Sequence, residues 1–324
     1  MLSRTADHLY WMARYVERAE NTARMLDVNL STSLLPQSAQ AAESGWRAML
    51  GISELLPEFD ARYPTLSPRE VIDFMVRDPD NSSSIYSCLQ AARENARAVR
   101  GSLTTEVWET HNSTWLGLQG MLRKRLLERD PKEFFEWVKY RSHLSRGVTI
   151  GTMLKDEAYY FIRLGTFLER ADNTARLLDV KYHGLPQSGS LYGGARADAD
   201  DQHMDFYHWA ALLRSVSAFE VYRRVYRDVI TPSRVAALLI LRGDMPRSLL
   251  SCMNEVSLTL EMVRNTRSGE TERRAGLLRG ELRYGRIEDI LAQGLHAYLT
   301  AFLERVGDLG ERISEDFLVP LQVA

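Results

Sequence analysis

One helical phrase occurs twice in this chain, and it constrains the fold more than any other feature. Residues 17–28 read ERAENTARMLDV and residues 169–180 read ERADNTARLLDV, differing only at Glu20/Asp172 and Met25/Leu177. The copies lie 152 positions apart. Further along, Ser67-Pro68-x-x-Val71 recurs as Thr231-Pro232-x-x-Val235, and the only two cysteines, Cys88 and Cys252, correspond at a spacing of 164. The extra 12 positions fall in the Gly/Ala/Asp-rich stretch Gly184–Gln202. Self-similarity over most of 324 residues predicts two copies of one supersecondary unit, each long enough to bury a core. The expected halves are residues 1–153 and 154–324, packed as one compact unit.

Strand signals are nearly absent, whereas helical periodicity runs throughout, so the expected class is all-α with ten to twelve helices. The first long helix is expected from about Ser3 to about Asn29, with Met12, Ala19, Ala23, Leu26 and Leu30 on one apolar side. Ser67-Pro68, Asp130-Pro131 and Thr231-Pro232 read as helix starts, since a proline in the first turn loses no hydrogen bond and the preceding side chain satisfies a free amide. Ile85, Leu89, Ala92, Ala96 and Val99 form an apolar stripe. In the second half, helices are expected near 156–182, 205–227, 233–241, 247–264, 271–283 and 286–317. Duplicated halves pack like the subunits of a symmetric dimer, each burying the same patch against its copy. That places the two repeated helices near a pseudo-twofold axis.

The repeated helix carries a polar stripe. At 100° per residue, Glu17, Glu20, Arg24 and Asp27 fall inside an arc of about 80°. Glu169, Asp172, Arg176 and Asp179 match them, Asn21 and Asn173 border the stripe, and Arg18 and Arg170 sit off its edge. An exposed ion pair contributes only about 0–1 kcal/mol and would drift between copies. Breaking a buried pair costs about 3–5 kcal/mol and would hold it in place. The stripe is therefore expected to be buried or half-buried. It can be a charge lattice fixing helix register, or a polar cavity where carboxylates and arginines meet a ligand. A carboxylate-bridged metal pair is disfavoured, because neither copy has the Glu-x-x-His spacing such bundles use, and the arginines repel a cation.

The halves diverge after the first cysteine. Arg93, Arg97 and Arg100 form a basic edge with Glu94 and Asn95 beside it, followed by Trp108, His111, Asn112 and Trp115. Asn81-Ser82-Ser83-Ser84 precedes that helix, where free amides favour an anion. A site present once per chain would break symmetry in this way; a solvated arginine face beside core tryptophans is the plainer alternative. A third Glu-Arg pair, Glu304-Arg305, has Ser145-Arg146 as its first-half counterpart, keeping only the arginine. His203 and His208 are five apart, which is no dependable ligand spacing. No Walker loop, dinucleotide glycine fingerprint or Gly-x-Ser-x-Gly elbow is present. No cofactor is implied. The net charge of −2 gives no footprint for nucleic acid or anionic membrane, and the longest apolar run, Val235–Leu241, is too short for a bilayer. Two cysteines at matching positions read as buried thiols of a cytosolic protein.

Taken together, SRTADHLYWMARYVERAENTAR, FIRLGTFLERADNTARLLDV, ARENARAVR with its following EVW, and TPSRVAALLIL with MPRSL resemble the bacterial alpha-E family, an all-helical family of unknown function named for a Glu-Arg motif. The resemblance runs nearly end to end. It implies that Glu17-Arg18 and Glu169-Arg170 are signature positions, with Arg93-Glu94-Asn95-Ala96-Arg97 a second motif. It also implies a neighbourhood of circularly permuted ATP-grasp ligase-like and transglutaminase-like proteins, hence a peptide- or amide-bond-forming system. One departure stands out: where the family carries a Ser-Ile pair after a proline, this chain has the longer Pro79-Asp80-Asn81-Ser82-Ser83-Ser84-Ile85. The expected role is a non-catalytic helical partner that positions an ATP-grasp-type ligase and its peptide substrate, using the Gly184–Gln202 loop and the Arg93–Arg100 edge; homo-oligomers are compatible with it. The alternative is a stand-alone helical enzyme with a buried glutamate as general base and arginines as substrate clamps.

Overall fold

The computed structural model describes residues 1–34, 38–183 and 199–318. In these the chain folds into sixteen α-helices and one 3₁₀ turn, with no strand. The first eight are α1 (Ser3–Ser33), α2 (Ala39–Ile52), α3 (Leu56–Arg62), α4 (Pro68–Val76), α5 (Ile85–Ala98), α6 (Thr105–Arg123), α7 (Leu126–Arg129) and α8 (Pro131–Thr152). The remainder are α9 (Glu157–His183), α10 (Ala199–Ser215), α11 (Phe219–Tyr226), α12 (Pro232–Leu241), α13 (Leu249–Met262), α14 (Gly269–Tyr284), α15 (Ile287–Gln293) and α16 (Leu295–Phe317).

The helix starts lie where cap chemistry put them. Ser67 and Glu70 form a reciprocal capping box at α4, and Asp130 and Thr231 accept from the third amide of α8 and α12. Among the three serines ahead of α5, Ser84 is the cap: it accepts from the Ser87 amide at 3.1 Å. The count of ten to twelve helices is too low, for two physical reasons. The helix expected over 205–227 breaks into α10 and α11 at Ser217, and the one over 286–317 breaks into α15 and α16 at Gly294. Both residues have positive φ, 54° and 96°, which no α-helix accommodates. The short α3 and α7 carry too few residues to show a period.

The long helices α1 and α9 form the central pair. They cross where Gly165 faces Tyr10 and Ala13: a β-carbon on Gly165 would sit 2.2 Å from the Tyr10 carbonyl oxygen and 3.3 Å from Ala13 Cβ. Only a residue without a side chain permits that approach. Around this pair, α5 and α8 pack on α1, while α13 and α16 pack on α9. One apolar core runs continuously from Ala6 to Leu318 and draws on both halves of the chain. Cys88 in α5 and Cys252 in α13 are free, fully buried thiols, and burial pushes both up to about 12. Among the described residues, no helix is long and apolar enough to cross a membrane.

Candidate functional site: an arginine–carboxylate lattice on the central helix pair

The polar stripe of α1 faces inward. Glu17 and Glu20 are 1 % and 0 % exposed, and Arg24 lies one turn beyond Glu20. The two copies of the repeated segment exchange partners. Arg170 of α9 donates through Nε and Nη2 to the two oxygens of Glu17, each at 2.9 Å. Reciprocally, Arg18 of α1 donates to both oxygens of Glu169, at 2.6 and 3.1 Å. These are the two arginines placed off the stripe's edge by helical angle alone. A guanidinium is long enough to bend back over the crossing, and its fork matches a carboxylate in two places.

Residues from distant segments complete the lattice. Arg247, just ahead of α13, donates to Glu17 at 2.7 Å, Asn21 at 2.9 Å and Glu20 at 2.7 Å. Arg146 of α8 reaches Glu17 at 3.0 Å and Glu20 at 2.5 Å, and the Ser142 hydroxyl donates to Glu20 at 2.6 Å. Arg24 donates to Glu20 at 2.8 Å and to Ser217 at 2.6 Å. Burial would raise both glutamates, but the guanidiniums outweigh it. Arg170 and Arg247 hold Glu17 down at about 2, and Arg247, Arg146 and Arg24 hold Glu20 well below the usual carboxylate range.

The second copy is built differently. Glu169 takes Arg14 at 2.7 Å as well as Arg18, and together they offset burial and hold it at about 2. Among the described residues Asp172 has one donor, Nε of Arg176 at 2.9 Å, and burial raises its carboxyl above the ordinary range. Arg176 also pairs with Glu54, which sits in the left-handed region at φ 57°. Among the described residues the Asn173 side chain has no hydrogen-bond partner. A polar cavity of about 260 Å³ opens here, and its lining includes Arg14, Arg18, Arg176, Glu169, Asp172 and Asn173, together with Thr22 and Ser83. Asn21 is 3 % exposed, and its Nδ2 has no partner. A second cavity of about 190 Å³, mostly apolar, lies between α1, α8 and α9 against Glu17, Arg146 and Arg170.

Several sequence candidates lie elsewhere. Asp27 and Asp179 point away from the lattice, because the stripe follows the ends of α1 and α9 out to other helices: Asp27 pairs with Lys139 of α8 and Asp179 with His296 of α16, both at 2.8 Å. The Arg93–Arg100 edge is a surface ladder. Arg93 and Arg97 both pair with Glu94 at 2.5 Å, Arg93 also donates to Asn112, Asn95 bonds His8, and Arg100 stacks over Trp108. Ser84, at the opposite end of α5, is fully buried as a cap and is not part of that edge. Glu304 and Arg305 are exposed, and Arg305 pairs with Glu281 of α14. The arginine that joins the lattice from this weaker repeat is its counterpart, Arg146. Among the described residues, no group of three or more His, Cys, Asp or Glu is placed to hold a metal ion. His208 belongs to α10, whereas the His203 side chain and most of the Gly184–Gln202 loop lie outside the described residues.

Sequence reasoning missed Arg14, Ser142, Arg146 as a lattice member, and Arg247. The available signal for Arg247 was positional: it stands directly before the serine that caps α13, at the place Ser83 occupies before α5.

This geometry defines an all-helical protein organised around a buried arginine–carboxylate lattice that ties two Glu-Arg helices together. The chain belongs to the Alpha-E family, described as a predicted alpha-helical domain with a conserved ER motif, whose pattern matches residues 1–318. No curated protein and no solved structure matches the chain.

Proposed function

We propose that this chain is a tandem duplication packed about a pseudo-twofold axis, and that it acts in the cytosol as a non-catalytic helical partner. In this reading it positions a peptide substrate for an ATP-grasp-type peptide or amide ligase, with a transglutaminase-like protein as the other candidate partner. The choice of partners follows the family resemblance. The observation that carries the non-catalytic part is the state of the signature glutamates. Glu17 and Glu169 are held at about 2 and are saturated by arginine donors. A general base must be free to take a proton near the working pH, and these carboxylates are committed to the fold instead. Reciprocal pairing of Glu17 with Arg170 and Glu169 with Arg18 supports the duplication.

One observation favours the enzyme alternative: Asp172 borders an open cavity and is the lattice carboxylate at which burial outweighs its arginine, so that it is raised. In that reading Asp172, not a glutamate, is the acid–base group. The test is to mix the purified chain at micromolar concentration with the ATP-grasp-type ligase of the same genome and follow co-elution and ligase output. Co-elution with altered output is expected. Separate elution with unchanged output refutes the partner role, and turnover by this chain alone, abolished in Asp172→Asn, establishes the alternative.

A further inference from the structure

The two copies of the repeated helix are filled unequally. Ser248 caps α13 by accepting from the Ser251 amide at 3.0 Å, and Ser84 caps α5 by accepting from Ser87 at 3.1 Å. Each cap lies four residues ahead of its cysteine, so Arg247 and Ser83 are corresponding positions. The Arg247 guanidinium lies against Glu17, Glu20 and Asn21. Their counterparts Glu169, Asp172 and Asn173 line the 260 Å³ cavity, with Ser83 in the arginine's place. Thr174, which donates to the Arg247 carbonyl at 3.0 Å, corresponds to Thr22, again a lining residue. The cavity is therefore the second copy of the Arg247 pocket, without its guanidinium.

We propose that this cavity binds a guanidinium cation, which takes over Asp172 and Asn173 the place that Arg247 holds over Glu20 and Asn21. The proposal rests on the duplicated-halves reading and deepens the proposed function by naming an arginine side chain as the recognised group. Three observations carry it. First, acceptors are vacant: among the described residues Glu20 receives Arg24, Arg146, Arg247 and Ser142, whereas Asp172 receives Arg176 alone. Second, the charge balance allows one more cation. In the filled copy four arginines (Arg24, Arg146, Arg170 and Arg247) converge on two glutamates. In the open copy Arg14, Arg18 and Arg176 face Glu169, Asp172 and Glu54, so an added guanidinium leaves it less positive than a cluster this fold already tolerates. Third, at about 260 Å³ the cavity has room for a guanidinium-bearing side chain.

Isothermal titration of the chain alone tests this. The probes are free L-arginine, N-acetyl-arginine methylamide, the matching citrulline compounds, and inorganic phosphate. Saturable binding of an arginine compound is expected, with citrulline at least about tenfold weaker, since it keeps the shape and loses the charge. Binding of the blocked compound identifies a peptide side chain as the source, and binding of free arginine alone identifies a small molecule. Ser83→Arg should abolish binding by restoring the built-in guanidinium, and Asp172→Asn should weaken it at least about tenfold. If Ser83→Arg fails to fold, Asp172→Asn decides. Equal binding of citrulline, binding of phosphate in place of arginine, a folded Ser83→Arg protein that binds like the parent, or no arginine binding at millimolar concentration each overturns the proposal. Because no ligase is present, failure here leaves the partner role standing, and failure of ligase association leaves this result standing.

Discussion

Neutralising the two signature glutamates one at a time should give unequal losses of stability. Glu17→Gln keeps size and removes the charge that neutralises Arg170, Arg247 and Arg146. The Arg170 and Arg247 side chains are each only 7 % exposed, so water cannot replace the lost carboxylate. Removing one partner from such a buried arrangement costs about 3–5 kcal/mol, a large share of a typical total near 5–15 kcal/mol. Glu169→Gln strands Arg14 and Arg18, which are 17 % and 26 % exposed and border the polar cavity. Water entering there can solvate them, so the loss falls toward about 1.5–3 kcal/mol, the range for a hydrogen bond to a charged group. Urea unfolding at pH 7 followed by circular dichroism measures both, provided the slope with denaturant is unchanged. Losses that are equal, or a Glu17→Gln loss under about 1 kcal/mol, refute the claim that one copy is dry and the other wet.

Gly165→Ala should destabilise at the upper end of about 1–3 kcal/mol, because its methyl meets the Tyr10 carbonyl, and thermal melting reads the loss. Glu17 and Glu169 are lower in the folded state than in the unfolded chain, so their stabilisation is complete above about pH 4.5 and is lost as pH falls toward 2. A urea midpoint that fails to fall across that window contradicts the assignment. Cys88 and Cys252 should resist iodoacetamide in the native protein and alkylate on unfolding, as mass spectrometry can show, since both are buried with thiols near 12.

The repeated phrase made α1, α9 and the inward direction of Glu17, Glu20 and Arg24 legible, because a polar stripe retained in both copies has an energetic reason to be buried. The caps at α4, α8 and α12 were legible for the same local reason. What was not legible came from distant segments. Helical angle placed Arg18 and Arg170 off the stripe, yet each reaches the other helix's glutamate at a crossing that Gly165 makes close. Asp27 and Asp179 share the stripe's angle but leave it where the helices meet α8 and α16. The breaks at Ser217 and Gly294 were hidden by apolar periodicity that continues on both sides. The roles of Arg247 and Ser83 are comparative: Ser83 reads only as part of a serine run ahead of α5, and Arg247 only as part of a family motif, until the two positions are set side by side.

The bond from Arg247 to Glu17 spans 230 positions of chain, and this imposes an order in time. Synthesis at about 5–20 residues per second leaves a gap on the order of ten seconds or more between the two emerging. Within that interval Arg146 and then Arg170 are made before the final donor. The glutamates of α1 thus gain their full set of donors only once the far half of the chain has been made.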